Sequence, residues 1–265
     1  MCDDPRQQPA DLFADAAGFY HHRPAYPAMA IQWIADTLRL DGQGRMLDVG
    51  CGTGHVCLRF ADKFDHIIGI DPSGPMLAEA GSIAAARGLT QFEFRQLKAE
   101  DLPAGLGTFR LITFGASFHR VNRELVSKHA YRMLEAQGGL ALLFPAVPWR
   151  GRSPWKAALR RTIEKWTGKP LDEPFEPSQN VIARSSFGGC EVHEFQKNHT
   201  WSTAELVGYL LSTSFCSRSV LGVRAHEFEQ DLTACLLDVQ PDGQFLDELE
   251  TTVVFARRAS CCCGG

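Results

Sequence analysis

The sequence lacks an apolar run approaching the roughly 18 residues that a membrane-spanning helix requires. It also lacks an excess of positive charge, because 27 Lys and Arg against 31 Asp and Glu give a net charge of −4. We therefore expect neither a membrane partner nor a nucleic-acid partner held through neutralised phosphates. The N-terminal residues show no basic stretch followed by an apolar one, so we expect no secretory signal and a cytoplasmic location.

Nine cysteines are present, but none belongs to a C-x-x-C pair, so a zinc site is not expected. In a reducing compartment we expect these thiols to be free. Apolar residues make up 45% and charged residues 22% of the chain, which is the composition of a globular protein rather than of a disordered or fibrous one.

Short apolar segments alternate with helical patterns over the first 145 residues. Strands are predicted over 45–50, 66–71, 92–96, 109–114 and 139–144, and helices over 27–39, 54–63, 74–87 and 120–135. This alternation predicts an α/β fold with a doubly wound, mostly parallel sheet that is covered on both faces. A Pro-rich segment with one helix at 155–166 follows, and then strands at 191–197 and 251–256 with helices at 203–212 and 224–238.

The segment Asp48-Val-Gly-Cys-Gly-Thr-Gly54 lies between the first predicted strand and a predicted helix. That is the context of a nucleotide-binding loop. Gly50 and Gly52 allow a tight turn and a close approach of the backbone to a ligand. Asp71 ends the second strand, where a carboxylate can reach a ribose diol.

Two ligands suit such a loop, a dinucleotide or S-adenosylmethionine. The dinucleotide pattern G-x-G-x-x-G is not completed, because His55 stands where its last glycine would be when counted from Gly50. Asp48 would repel a pyrophosphate, whereas it suits the ammonium group of a methionine moiety, directly or through water. The residues therefore favour S-adenosylmethionine, and an NAD(P)-binding oxidoreductase is the weaker alternative.

The glycine loop resembles motif I of the class I S-adenosylmethionine-dependent methyltransferases, and the similarity covers most of the chain. The segment 70–76 is similar to the second motif of that family, and the segment 97–103 is similar to its adenine motif. Lys98 stands where that adenine motif has Asp, so contact to the adenine amine falls to other groups.

Two further segments resemble the subgroup that includes the trans-aconitate methyltransferases. They are Tyr20-His-His-Arg-Pro-Ala-Tyr-Pro27 near the N-terminus and the segment 113–120 after the fourth strand. Arg120 replaces the usual Trp of the second segment, which makes that wall of the pocket more polar.

The resemblance implies a Rossmann-like, seven-stranded sheet whose last strand is antiparallel, with a helical lid inserted after the fifth strand. It implies S-adenosylmethionine as cofactor, S-adenosylhomocysteine as product and no metal. The expected cofactor-binding residues are Tyr20, Arg23, Asp48, Gly50, Cys51, Gly52, Asp71, Pro72, Met76, Ala99, Glu100, Gly115 and Ser117. His119 is the candidate catalytic base by position, because it follows the fourth strand, whose carboxyl end faces the cofactor.

Five segments follow from this interpretation. They are an N-terminal helical segment over the cofactor (1–44), the cofactor-binding core (45–144), a lid or substrate insertion (145–190), the C-terminal part of the sheet (191–258) and a disordered tail (259–265). The insertion carries aromatic residues that form either its core or a substrate wall, namely Trp149, Trp155, Trp166, Phe175 and Phe187.

The acceptor is expected to be a small molecule. The chain has neither the Asn/Asp-Pro-Pro-aromatic motif of amino-methylating nucleic-acid enzymes nor a Pro-Cys dipeptide. Oxygen and nitrogen acceptors fit best, carbon remains open, and a carboxylate metabolite or a natural product would suit. The alternative is a protein that binds S-adenosylmethionine without methylating, since fold does not fix function. The sequence predicts no oligomeric state.

Overall fold

The computed structural model describes residues 15–171 and 176–259. Phe175 and all but the first residue of the predicted tail lie outside these residues. The strands are β1 (Arg45–Val49), β2 (His66–Asp71), β3 (Phe92–Gln96), β4 (Phe109–Gly115), β5 (Leu134–Pro145), β6 (Glu191–Ser202) and β7 (Gln244–Arg257). The α-helices are α1 (Ala28–Leu38), α2 (Gly74–Ala86), α3 (Arg123–Met133), α4 (Pro154–Thr167), α5 (Ser178–Ala183), α6 (Thr203–Leu211), α7 (Arg218–Leu221) and α8 (Ala225–Val239).

The seven strands form one sheet in the order β3-β2-β1-β4-β5-β7-β6. The first five are parallel, and β7 pairs antiparallel with both β5 and β6. The predicted fold class, a doubly wound seven-stranded sheet with an antiparallel last strand, is confirmed. The strand order reverses between β1 and β4, and in such sheets ligands bind in the crevice beyond the carboxyl ends of the strands at this point.

The region after the glycine loop differs from the predicted helix at 54–63. It consists of turns and one short 3₁₀-helix, Cys57–Phe60. The backbone N–H of Cys57 donates to the Asp48 carboxylate at 3.2 Å. Gly54, at φ +82°, has a conformation that no regular helix contains. Turns and a 3₁₀-helix therefore occupy the residues where the sequence predicted a regular α-helix.

Each face of the sheet is covered by its own core. On one side α1 places Ile31 and Ile34 against strand residues such as Met46 and Leu111. On the other side α3 packs against the alternate strand positions. This two-sided burial explains why the parallel strands at the centre of the sheet are rich in apolar residues, whereas the edge strand β3 alternates apolar and polar residues.

A third core lies where β6 and β7 extend past the rest of the sheet. Trp201 of β6 and Phe245 of β7 pack there with apolar residues of α4, α6 and α8. The predicted insertion 145–190 is divided between cores, because α4 belongs to the third core while α5 packs with α3 and β7. The third core stands over the carboxyl end of β5, and it supplies one wall of the cavity described next.

Among the described residues, no helix is long and apolar enough to cross a membrane. The same residues contain no group of three or more His, Cys, Asp or Glu side chains placed to hold a metal ion. The described cysteines are free, namely Cys51, Cys57, Cys190, Cys216 and Cys235.

Candidate active site

The glycine loop lies at the carboxyl end of β1, beside the point where the strand order reverses. The N–H groups of Gly50 and Cys51 both donate to the carbonyl of Ile70, which ties the loop to β2. Gly50 has φ +66°, and a Cβ added to it would lie 2.5 Å from the Cβ of Ser117. The Ser117 hydroxyl donates to the carbonyl of Val49 at 2.6 Å, so Ser117 fixes the underside of the loop.

Asp48 is buried beneath the loop. Its carboxylate accepts hydrogen bonds from the Thr113 hydroxyl, at 2.7 Å, and from the Cys57 backbone. Thr113 stands directly opposite Asp48 in the pairing of β1 with β4, which is why the two side chains meet. Burial raises the pKa of Asp48 to about 6, although the hydrogen bonds from Thr113 and Cys57 act to lower it. A nearby ammonium group would favour the ionised form.

Asp71 connects β2 to the glycine loop. One carboxylate oxygen accepts from the backbone N–H of Gly52 and the other from that of Ser73, both at 2.9 Å. Each oxygen retains a lone pair for a further donor. Burial raises the pKa of Asp71, and the two backbone hydrogen bonds act in the opposite direction.

Arg23 is placed over the loop by the N-terminal segment, whose short helix Ala17–His22 packs on α6. The guanidinium donates to the hydroxyl and the carbonyl of Ser212, at 2.8 and 2.9 Å. It lies 4.3 Å from the ring centre of Tyr20 and 5.3 Å from that of Tyr209. Burial acts to lower the pKa of Arg23, but the surrounding tyrosines outweigh it, and the pKa is raised.

One cavity joins these groups. It is bounded by the N-terminal segment, the glycine loop, the ends of β4 and β5, and the third core. Of the predicted cofactor-binding residues, those that line it are Tyr20, Arg23, Asp48, Gly50, Cys51, Gly52 and Gly115. The remaining predicted residues, Asp71, Pro72, Met76, Ala99, Glu100, Ser117 and His119, are not among its lining residues.

Most of the predicted residues outside the cavity follow the neighbouring strands. Pro72 comes directly after β2, and Met76 is buried in the first turn of α2. Ala99 and Glu100 lie in a short helix after β3, where the Glu100 carboxylate accepts from the backbone N–H of Asn122 at 2.8 Å. These positions continue the crevice away from the cavity, toward the second and third strands.

His119 lies in a short helix after β4, next to Arg120. Burial lowers the pKa of His119 to about 4, and the nearby cations Arg120, Arg123 and Arg23 lower it further. The imidazole is therefore neutral at physiological pH. Arg120, which replaces the usual Trp of this segment, is half-buried, and its guanidinium donates to the Ser214 hydroxyl at 3.2 Å.

Cys51 lines the cavity, but its thiol is not suited to act as a nucleophile. Burial raises the pKa of its thiol well above the ordinary value, so the reactive thiolate is not populated at neutral pH. A Cβ on Gly69 would lie 2.9 Å from its sulfur, which shows how closely Cys51 packs on β2.

Several lining residues were not assigned a cofactor-binding or catalytic role from the sequence, namely Tyr26, His55, Val56, Pro145, Ala146, Lys197, Tyr209, Leu249 and Thr251. Tyr26 lies within the Tyr20–Pro27 segment and His55 directly follows the glycine loop, so these motifs could have suggested both residues. Lys197, Tyr209 and Leu249 come from β6, α6 and β7, and only the packing of the third core brings them to the loop. None of the described aromatic residues of the insertion lines the cavity.

The comparisons with known proteins agree with this geometry. A methyltransferase domain model matches residues 46–138, which span β1 to the start of β5. The uncharacterized methyltransferase C25B8.09 of Schizosaccharomyces pombe is 25% identical over 244 residues, covering 91% of this chain and 92% of that protein. The ajmaline N-methyltransferase of Rauvolfia serpentina is 32% identical over 145 residues, covering 52% and 49%.

Among solved structures, the [4+2]-cyclase SpnF superimposes with a TM-score of 0.57 at 17% identity, over 97% of this chain and 98% of that one. This likeness concerns the fold alone. The matched domain model, the full-length methyltransferase relative, the strand order and the Asp48–Gly54 loop together support a class I S-adenosylmethionine-dependent methyltransferase.

Proposed function

We propose that this chain transfers the methyl group of S-adenosylmethionine to oxygen or nitrogen of a small-molecule acceptor held in the cavity between the glycine loop and the third core. The observation that carries the proposal is that a single cavity joins the glycine loop, Asp48 and Arg23 to walls that belong to the third core.

The residues present fit the cofactor. Arg23 is a half-buried cation, and no carboxylate among the described residues forms an ion pair with it, so it suits the methionine carboxylate. Asp48 suits the ammonium group, and Asp71 keeps lone pairs for the ribose diol. Pro72, Met76, Ala99 and Glu100 follow β2 and β3, where the adenosine end would extend.

When bound, the cofactor supplies a methyl group that is already activated by its sulfonium. The chain's own task is to orient the acceptor and to exclude water. The segment that carries Tyr20 and Arg23 covers the loop, and the apolar residues Leu249 and Ala146 line the opposite side. We keep His119 as the proton acceptor that the sequence suggests. Because His119 does not line the cavity, this role requires that the methyl acceptor extend to the imidazole or that side chains move to expose it.

The proposal further places the chain in the cytoplasm, with a small-molecule partner and no metal requirement. The acceptor of the Rauvolfia serpentina relative, which is an N-methyltransferase, supports nitrogen as one possibility. A second candidate is a protein that holds S-adenosylmethionine without transferring its methyl group, because the same fold occurs in a [4+2]-cyclase and fold does not fix function.

The test is to incubate the protein with S-adenosylmethionine and a library of small hydroxyl, amine and carboxyl compounds. Release of S-adenosylhomocysteine together with a methylated product supports methyl transfer. Cofactor binding without release on any compound supports the second candidate. Asp48→Ala and Gly52→Val serve as controls, because each is expected to abolish cofactor binding.

A further inference from the structure

Arg23 is held at the cavity by Ser212, the C-cap residue of α6. The Nε–H of Arg23 donates to the Ser212 hydroxyl at 2.8 Å, and an N–H on Nη2 donates to the Ser212 carbonyl at 2.9 Å. Arg23 lines the cavity, whereas Ser212 is fully buried and is not among the lining residues. Ser212 can therefore influence a ligand only through the guanidinium of Arg23.

The hydroxyl of Ser212 is fixed in the orientation that this contact needs. It donates its proton to the carbonyl of Tyr209 at 2.6 Å, so it presents only lone pairs to Arg23. The Ser212 carbonyl lies at the carboxyl end of α6, where the last carbonyl groups have no partner within the helix and the helix dipole favours a cation. Ser212 thus offers two acceptors in fixed positions to one edge of the guanidinium.

The contact with Ser212 leaves the other end of the guanidinium free for a ligand. An arginine side chain has five N–H groups, and Ser212 accepts from two of them, along the edge formed by Nε and Nη2. The end of the group keeps one N–H on Nη1 and one on Nη2, side by side, which is the fork that binds both oxygens of a carboxylate. The rings of Tyr20 and Tyr209 limit its movement, because their centres lie 4.3 and 5.3 Å from the Arg23 Cζ atom.

We propose that Ser212 is a positioning residue that orients the free end of Arg23 toward the carboxylate of the cofactor, so that the affinity for this carboxylate is set from the end of α6. The inference rests on the proposed function, because it takes Arg23 as the partner of the methionine carboxylate. Asp48 remains the partner of the ammonium group, so the cavity accommodates both charges of the amino-acid end of the cofactor.

The experiment compares two ligands that differ only in the carboxylate. Calorimetry measures the binding of S-adenosylhomocysteine and of its decarboxylated analogue, which keeps the adenosine, the sulfur and the ammonium group. The wild type should bind S-adenosylhomocysteine about 10- to 100-fold more tightly, because the analogue leaves Arg23 without a charge-assisted partner. Ser212→Ala removes the hydroxyl acceptor and keeps the carbonyl, so it should weaken the binding of S-adenosylhomocysteine about five- to tenfold. It should leave the binding of the analogue unchanged.

Thr213→Val is the matched control. Thr213 is buried in the same turn, and its hydroxyl bonds to the Leu210 carbonyl and the Cys216 N–H rather than to Arg23. This variant should be destabilised and yet keep the full preference for S-adenosylhomocysteine over the analogue. The double variant Arg23→Gln/Ser212→Ala should bind S-adenosylhomocysteine as Arg23→Gln does, since Ser212 acts through Arg23. If Ser212→Ala does not fold, Ser212→Cys repeats the test, because sulfur is a weak acceptor.

An unchanged preference in Ser212→Ala would overturn the inference, and so would an equal loss of affinity for both ligands, which indicates a general structural defect. Loss of the preference in Thr213→Val, or a further loss of affinity in the double variant, would overturn it as well. A wild type that binds both ligands equally would remove the carboxylate from Arg23 and overturn the inference while cofactor binding stands. If the wild type binds neither ligand, the proposed function itself fails, and the inference fails with it.

Discussion

Replacing Gly50 with Ala should destabilise the protein more than replacing Gly52, the next glycine of the loop, with Ala. Gly50 has φ +66°, and an alanine there pays about 1–2 kcal/mol for the left-handed conformation. The added Cβ would also lie 2.5 Å from the Cβ of Ser117. Ser117 is held by its bond to Val49, so the clash adds about 1–3 kcal/mol of overpacking. We expect a total loss of about 3 kcal/mol in the free energy of unfolding, with weaker cofactor binding.

Two glycines provide a graded control for this prediction. Gly52 has φ +54° but only an ordinary contact, 3.7 Å to Tyr20, so Gly52→Ala should cost only about 1–2 kcal/mol. Gly81 lies within α2 with nothing near its added Cβ, so Gly81→Ala should stabilise by about 0.5–1 kcal/mol. Urea unfolding of the three variants measures the series. Equal losses for Gly50→Ala and Gly52→Ala would refute the packing argument at Ser117.

Two further predictions concern buried charges. The folded-state pKa of Asp48 is raised from 3.8 to about 6, so its contribution to stability is present below pH 3.8 and is lost as the pH rises through 6. Urea unfolding should therefore show Asp48→Asn gaining about 2–2.5 kcal/mol on the wild type between pH 4 and pH 7, and a constant difference would contradict the burial of a carboxylate here. In the third core, Lys156 pairs with buried Asp247 at 2.5 Å, so Lys156→Met should cost about 3–5 kcal/mol. Lys165→Met, which breaks an exposed pair with Asp231, should cost less than about 1 kcal/mol, and similar losses for the two would refute the distinction.

The parallel half of the sheet could be predicted because its signals are local. β1, β2 and β4 are short apolar runs that end at a glycine or an aspartate, β3 alternates apolar and polar residues, and the glycine loop has a spacing that few other structures share. The limits of β6 and β7 could not be predicted in the same way. Both extend beyond their apolar segments, since their distal residues pair with each other and alternate between solvent and the third core.

The sequence likewise predicted the site residues that lie in local motifs, but not those that reach the site from distant elements. Asp48, Gly50, Gly52 and Arg23 lie in recognisable motifs, and the cavity brings them together. Tyr209 and Lys197 reach the cavity from elements far along the chain, and no spacing rule connects them to the loop. His55 was visible beside the loop, but the missing partner of its Nε2 atom is a property of the folded packing alone.

Isothermal titration of S-adenosylmethionine and then S-adenosylhomocysteine tests the central claim most directly, with the wild type compared to Arg23→Gln and to Arg95→Gln on the exposed edge strand β3. The wild type and Arg95→Gln should bind both compounds with affinities on the order of micromolar. Arg23→Gln should bind about 10- to 100-fold more weakly, because a charge-assisted hydrogen bond is lost. Absence of binding to the wild type, or equal affinity in Arg23→Gln, would contradict the assignment of this cavity to the cofactor.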